Sequence, residues 1–505
     1  MTVNRRIKNA YLPVLVYAWA IAATPVVAQA PFPGFLPGNL VVSRSVYTGT
    51  ASTVTVGQKL PPTCPAAASC PTATATDNGS YPSTTSSNNV WNNDKVDGSF
   101  GVTSPIFLDQ ITTAGTRINS LAVPASMLVT SFPSKSELAL NLSQDGGVIT
   151  FIGYIAPVNA IDVSNSNTPL VVDPTNPVGG TGYYRGVAQV YASGAIQITN
   201  TNAYSGNNGR AAILANGYFY LVGNAGNGSA TPADLVASAG VQMAEPGAPA
   251  GPPVEVGNFS ISSLIDPSTG NPYVADKPGK DNNFRGLTLF DDTLYITKGS
   301  GSNGINTVYQ VGRTHQLPTM SEAASATITI LNGFPTALAR AAGPMNPFGI
   351  WFANSHTLYV ADEGDGTTAN AATSQIAGLQ KWVLIGDTWY LAYVLQTGLN
   401  LGQQYSILNY PTALNPATDG LRNITGRVND DGTATIWAVT SSVSSNGDTG
   451  ADPNKLVTVT DVVDNLDPAV TPLEPFTTIM TAGYGEVLRG VSFTPGTQTP
   501  RRHRF

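Results

Sequence analysis

Along most of the chain, apolar side chains alternate with polar ones in runs of five to eight residues, closed by Gly, Asn, Asp or Pro. A period of two puts every second side chain on one face of a strand, so these runs predict half-buried β-strands. The stretch "NNFRGLTLFDDTLYITKG" (282–299) shows the unit: two alternating runs meet at an Asp-Asp turn, entered through Arg285-Gly286. A third run, "INTVYQVG", follows after a Gly-rich loop. A helical period is scarce; only "LVASAGVQMA" (235–244) predicts a short helix.

The unit recurs. "SELALNLSQDGGVITFIGYIAPV" begins at Ser136, "GRAAILANGYFYLVGN" at Gly209, "NPFGIWFANSHTLYVADEG" at Asn346 and "GLRNITGRVNDDGTATIWAVTSS" at Gly420. With the opening example and "VLRGVSFTPG" (487–496), units start near 137, 210, 285, 348, 422 and 488, at spacings of about 63 to 75 residues. Minimal propeller blades repeat every ~40–45 residues, so the loops between these strands must be enlarged. The sixth start has one strand and then the chain ends. Its partners lie at the other end: "GNLVVSRSVY" (38–47), "SPIFLDQITTAG" (104–115) and "RINSLAVPA" (117–125). A C-terminal strand completing N-terminal ones closes a ring and removes free sheet edges. The prediction is an all-β propeller of six four-stranded blades over residues 31–496, with a seventh in the irregular stretch 245–280 as the alternative. Residues 47–103, rich in Thr, Ser, Asn and Pro, form one long loop within the closing blade, either a solvated insertion or a small binding element.

The order "PIFLDQITTAG", "LALNLSQDGGVITFIGY", "AYSGNNGRAAIL", "NGFPT", "TLYVADEGDG", "GLQKW" and "LRGVSFTP" resembles a family of secreted bacterial β-propeller proteins across nearly the whole mature chain. "LYVAD" also looks like the NHL repeat of other propellers. Many members of the resembled family carry a C-terminal sorting signal, in whose place this sequence has "TPGTQTPRRHRF". The resemblance implies the fold and export, and no particular chemistry.

Composition agrees with export. Charged residues make up 11% of the chain, against ~25% in ordinary soluble domains. Arg5, Arg6 and Lys8 precede an apolar run ending at Ala28-Gln29-Ala30, the pattern of a cleaved secretory signal over residues 1–30. An uncleaved anchor is the alternative reading of that run; once it is cleaved, no membrane span is expected. Cleavage removes three positive charges and no negative one, moving the net charge from −7 to −10. Such a chain, basic only in its tail (497–505), is excluded as a nucleic-acid binder. In an exported protein the two cysteines, Cys64 and Cys70, predict one local disulfide pinning the long loop. Nothing demands a second copy, so a monomer is expected, extracellular or periplasmic.

Candidate chemistry is sparse. "GSGSNG" (299–304) has the spacing of a dinucleotide-binding loop but is followed by a strand, so it reads as a loop between strands. His315, His356 and His503 fall in turns or the tail, and there is no zinc-protease or nucleophile-elbow motif. Asp362, Glu363 and Asp365 gather in "ADEGDG", where hard oxygens suit Ca²⁺. The alternative has Asp362 capping backbone amides and the other two solvated. Arg210, Arg285, Arg422 and Arg489 occupy equivalent positions in four units, Phe348 takes that place in a fifth, and Glu137 lies near the start of the sixth. Arg185 falls on a third strand and is set apart. Four guanidiniums converging on one mouth of a ring suit a carboxylate, sulfate or phosphate. Alternatively each binds the next blade, with Gly allowing close approach. The leading function is extracellular binding or scaffolding, with an anionic or carbohydrate-like ligand, a glycan or a cell-surface component. The alternatives are a lactonase-like hydrolase or polysaccharide lyase, for which Arg with Asp362 or Glu363 supplies the needed group types, and a structural surface protein.

Overall fold

The computed structural model describes residues 32–47, 56–57, 59–60, 73–74, 81, 101–134, 136–341, 343, 345–443 and 450–497. The expected signal segment, Cys64, Cys70, His503 and the tail beyond 497 lie outside the described residues.

Six four-stranded antiparallel sheets account for nearly all the regular structure. In chain order, blade 2 holds Asn141–Leu142, Val148–Tyr154, Arg185–Tyr191 and Ile196–Thr201. Blade 3 holds Gly209–Ala215, Tyr218–Gly223, Gly240–Ala244 and Val254–Glu255. Blade 4 holds Leu287–Phe290, Thr293–Lys298, Thr307–Val311 and Ile328–Ile330. Blade 5 holds Pro347–Asn354, Thr357–Asp362, Gly378–Ile385 and Thr388–Leu395. Blade 6 holds Ala417–Val428, Thr433–Val443, Lys455–Val462 and Thr477–Thr481. Blade 1 places the C-terminal strand Glu486–Phe493 first, then Leu40–Val46, Ile106–Ile111 and Arg117–Ala122. The inner strand of blade 6 contacts Glu486–Phe493, which in turn contacts the start of blade 2. The molecule is a six-bladed β-propeller closed by its two ends.

Closure runs through seven antiparallel pairs from Leu40↔Phe493 to Val46↔Glu486, with a bulge at Ser43/Arg44. An ion network ties the same blade together. Arg44 Nε lies 2.6 Å from Asp109 Oδ2, another of its nitrogens pairs with Glu486, and Arg117 Nη2 lies 2.7 Å from Asp109 Oδ1. Asp109 is fully buried, so two guanidiniums on neighbouring strands compensate it where water cannot.

The cores lie between blades. Trp437, Val439 and Leu456 of blade 6 meet Leu40, Val42, Leu488 and Phe493 of blade 1. Phe290, Tyr295 and Val308 of blade 4 meet Ile350, Phe352 and Trp382 of blade 5. Fully burying each such side chain contributes roughly 1.5–3 kcal/mol. A separate hydrophobic cluster of Tyr47, Tyr81, Phe132, Tyr410 and Val487 ties residue 81 of the long loop to the ring.

Two expectations change. The stretch 245–280 contributes the last strand of blade 3 and a 3₁₀ turn at Ile261–Ser263, so there is no seventh blade there. The expected helix at 235–244 is a single turn, Ala233–Val236, because Gly240 adopts φ 75° and starts the third strand of blade 3. The Asp291-Asp292 turn has φ 47° and 53°, the left-handed pair a two-residue hairpin requires.

Candidate functional site

The repeated Arg-Gly step has a steric cause in its glycine. A Cβ at Gly286 would meet Phe348 O of blade 5 at 1.9 Å, one at Gly349 would meet Arg422 O of blade 6 at 2.4 Å, and one at Gly490 would meet Leu138 O at 2.4 Å. In blades 4, 5 and 1 the same glycine therefore lets the next blade's backbone press in. Where blade 6 has Asn423 instead, its side-chain oxygen accepts from Val491 N at 2.7 Å.

The preceding residues converge on the axis. Arg210, Arg285, Arg422 and Arg489 are 5, 8, 4 and 3% exposed. Arg285 of blade 4 reaches past blade 3 to Ser136 Oγ at 2.6 Å, and its Nε donates to Ser300 Oγ at 2.7 Å. Its Nη2 lies 3.3 Å from Glu363 Oε1, while Arg422 Nε lies 3.1 Å from Glu363 Oε2. Arg285 also sits over the Phe348 ring, 5.7 Å from its centroid. Arg210 donates to Asn208 Oδ1 at 3.2 Å, Phe284 O at 3.0 Å and the Asn283 side chain. Arg489 donates to Ser45 Oγ at 3.3 Å, Gly450 O at 3.0 Å and Phe132 O. Glu137 accepts from Thr130 Oγ1 at 2.7 Å, Ser131 N at 3.1 Å and the Tyr154 hydroxyl.

Not every donor is committed. Arg489 Nη1 is buried with no hydrogen-bond partner among the described residues. Among the described residues Arg422 donates one hydrogen bond, through Nε to Glu363. Burial and the neighbouring Arg422 bring the Arg489 guanidinium down to about 9, which leaves it charged at neutral pH. Burial, with Arg285 nearby, lowers Arg210 well below the usual arginine value, and burial lowers Arg285 against the pull of Glu363.

Lys298 is a cation that the repeat comparison does not single out. It ends the second strand of blade 4 in phase with buried Leu294 and Ile296, and it is itself fully buried. Its Nζ donates to Ser300 O at 2.8 Å and Asn306 Oδ1 at 3.0 Å. Burial, then Arg285 and Arg210, bring its amine down to about 7. A lysine in step with an apolar face was the sequence signal available. Ser136, Ser300 and Asn283 gave none, because loop residues have no periodicity to break.

The three loop carboxylates part company. Asp362 accepts from Asn346 N at 2.7 Å, Gly364 N at 3.0 Å and Gln380 Nε2 at 3.2 Å. Burial pushes its carboxyl up to about 7 while the Asn346 and Gly364 amides pull it down. Asp365 is exposed and holds Thr367 N at 2.9 Å and Asn370 Nδ2 at 2.7 Å. Glu363 is 8% exposed and ion-paired, so the reading that placed it in solvent is corrected. Among the described residues no three His, Cys, Asp or Glu side chains come together to hold a metal ion, so the calcium expected on this loop finds no such cluster.

Arg185, set apart by its third-strand position, is fully buried and donates to the carbonyls of Tyr183, Ser164, Ser166 and Asn207 at 2.5–3.1 Å. It is a structural bracket. His315 pairs with Asp291 at 2.8 Å on an exposed turn, and His356 sits in the exposed hairpin after Asn354.

No family model matches the chain, and no curated protein matches it. Among solved structures, it is similar to the hemagglutinin-neuraminidase ectodomain of parainfluenza virus 5, at 11% identity and a TM-score of 0.29, over 78% of this chain and 76% of that one. A cobalt-substituted Synechocystis ACO matches at 9% identity and TM-score 0.23, over 78% of this chain and 60% of that one. An engineered GH43 glycoside hydrolase matches at 9% identity and TM-score 0.22, over 77% and 95%. The propeller assignment rests on this chain's own strand pairing.

Proposed function

We propose that this is an exported propeller of binding type, a member of the secreted bacterial family it resembles, whose axial arginines hold a small anionic group of a glycan-like or cell-surface ligand. One observation carries the reading. Among the described residues Arg489 Nη1 is a buried donor without an acceptor, and Arg422, 4% exposed, donates through Nε alone. A buried donor left unmade costs about 1–3 kcal/mol, more when charged, and an oxyanion supplies the missing acceptors in bidentate fashion. Near-complete burial favours a small terminal group over a broad surface contact. Export of a monomer after removal of residues 1–30 belongs to the same proposal.

The arrangement supports binding over catalysis. A lactonase-like hydrolase or a lyase needs a free base beside its charge stabiliser. Glu363 is held by two guanidiniums and Asp362 by three donors. The test is calorimetric titration of sulfate and glucuronate into wild type, Arg422→Met and Arg489→Met, beside a glycan and lactone screen that includes Arg285→Ala. Binding by wild type that weakens at least tenfold in each methionine variant is expected. Equal binding in all of them, or none in wild type, overturns the reading; lactone turnover that Arg285→Ala abolishes transfers the site to the enzyme class.

A further inference from the structure

The axial ring is not electrically balanced. Among the described residues the four axial guanidiniums have one ion-paired carboxylate, Glu363, held by both Arg285 and Arg422, while Arg210 and Arg489 bond to neutral groups. A guanidinium resists deprotonation at neutral pH. Lys298 adds a fifth basic group behind Arg285. Ser300 fastens the two together, accepting from Arg285 Nε through Oγ and from Lys298 Nζ through its carbonyl.

Among the described residues no carboxylate touches Lys298. Both its acceptors are neutral. The charged groups facing it are Arg285 of its own blade, Arg210 of blade 3, and Asp281 and Asp276 of the loop before blade 4. Asp276 is held by Arg340 at 2.6 Å and by Gly304 N at 2.6 Å; Asp281 accepts from Ile261 N at 2.8 Å. The two acids favour a charge on the amine without touching it, while burial and then the two arginines oppose that charge. The arginines' part of that opposition weakens when an anion neutralises them.

We propose that the axial site takes a doubly charged oxyanion, and that the Lys298 amine takes up one proton from solvent as the anion enters. The inference rests on the arginine-ring reading above. A dianion brings one negative charge for each of the two guanidiniums without an ion-paired carboxylate, Arg210 and Arg489, so its arrival weakens the field that disfavours the ammonium. A monoanion weakens that field less. The depressed basicity of Lys298 in the empty ring supports the same linkage.

Sulfate is the probe, because it does not titrate near neutral pH. Titration of wild type at pH 8 in two buffers of different ionisation enthalpy is expected to show uptake of about one proton per sulfate, with affinity falling about tenfold per pH unit above 7. Nitrate, a singly charged oxyanion, is expected to bind more weakly with less uptake. Lys298→Met and Lys298→Arg are expected to bind sulfate without uptake, and the arginine variant, charged throughout, with no pH dependence between 6 and 9. Unfolding transitions establish that each variant is folded; should the methionine variant fail, the arginine variant decides. Sulfate binding by wild type without proton uptake, or uptake that persists in the variants, overturns the Lys298 linkage and leaves the arginine ring standing. Absence of sulfate binding at every pH overturns both.

Discussion

Glu363 is shared between two blades: one carboxylate oxygen lies 3.3 Å from Arg285 Nη2 and the other 3.1 Å from Arg422 Nε. Breaking a buried pair by removing one partner costs about 3–5 kcal/mol, because the other charge is left uncompensated. Glu363→Gln strands two guanidiniums at once. The expected result is a loss of stability of that order, largely restored by millimolar sulfate, read as denaturant midpoints with and without the anion. Sulfate rescue separates a ring that needs negative charge from one that needs only the shape of the glutamate side chain.

Gly286 makes a different demand. A methyl group there would sit 1.9 Å from Phe348 O, so blade 5 would have to withdraw. Overpacking of this kind typically costs 1–3 kcal/mol, occasionally more. Gly286→Ala is expected at or above the top of that range, whereas alanine at Gly217 or Gly247, which have open space but positive φ, meets conformational strain alone. Thermal unfolding of the three variants checks the contrast. Equal losses would mean that blade contact does not set the requirement.

What the sequence made legible follows from period and position. Alternating runs located the inner strands, two of them marked by an Arg-Gly step at 285–286 and 489–490, and the orphan strand near 488 located the closure. Glu363 was misread because "ADEGDG" is a loop, and a loop gives no face on which to place a side chain. Lys298 and Lys381 were readable in principle. Each is in phase with buried apolar residues, Ile296 for the first and Leu379 for the second. Serine and asparagine partners of the arginines became visible only when the fold brought distant loops to one axis.

Lys381 illustrates a buried charge whose partner is already present. Its Nζ lies 2.9 Å from Asp461 Oδ2, with both side chains fully buried between blades 5 and 6. The same ammonium donates to Val462 O at 2.7 Å, and Tyr393 donates to Asp461 Oδ1 at 2.6 Å. Lys381→Met is expected to cost about 3–5 kcal/mol by stranding Asp461, while adding Asp461→Leu recovers part of the loss. Denaturant unfolding of both single variants and the double variant measures the coupling. A double variant as unstable as the sum of the singles would show that the two side chains act independently.

Lys298 predicts how stability itself depends on pH. Its amine titrates at about 7 in the folded protein, against ~10.4 for an unperturbed lysine, the value expected in the unfolded chain. Between these values the folded state has released a proton that the unfolded chain still holds, so the unfolded state binds more protons and stability rises with pH. Below pH 7 both states are protonated and the full burial cost is present; above about 10 both are neutral and the slope ends. The gain approaches ~1.4 kcal/mol per pH unit inside the window. Other groups titrate there too, so the informative quantity is the difference between wild type and Lys298→Met. Denaturant midpoints from pH 6 to 9.5 are expected to run parallel up to about 7 and then diverge, with wild type gaining on the variant. Saturating sulfate should flatten that divergence, because the anion lets the folded state keep the same proton as the unfolded one. Parallel curves throughout, without sulfate, would mean that the buried amine holds its charge in the empty ring.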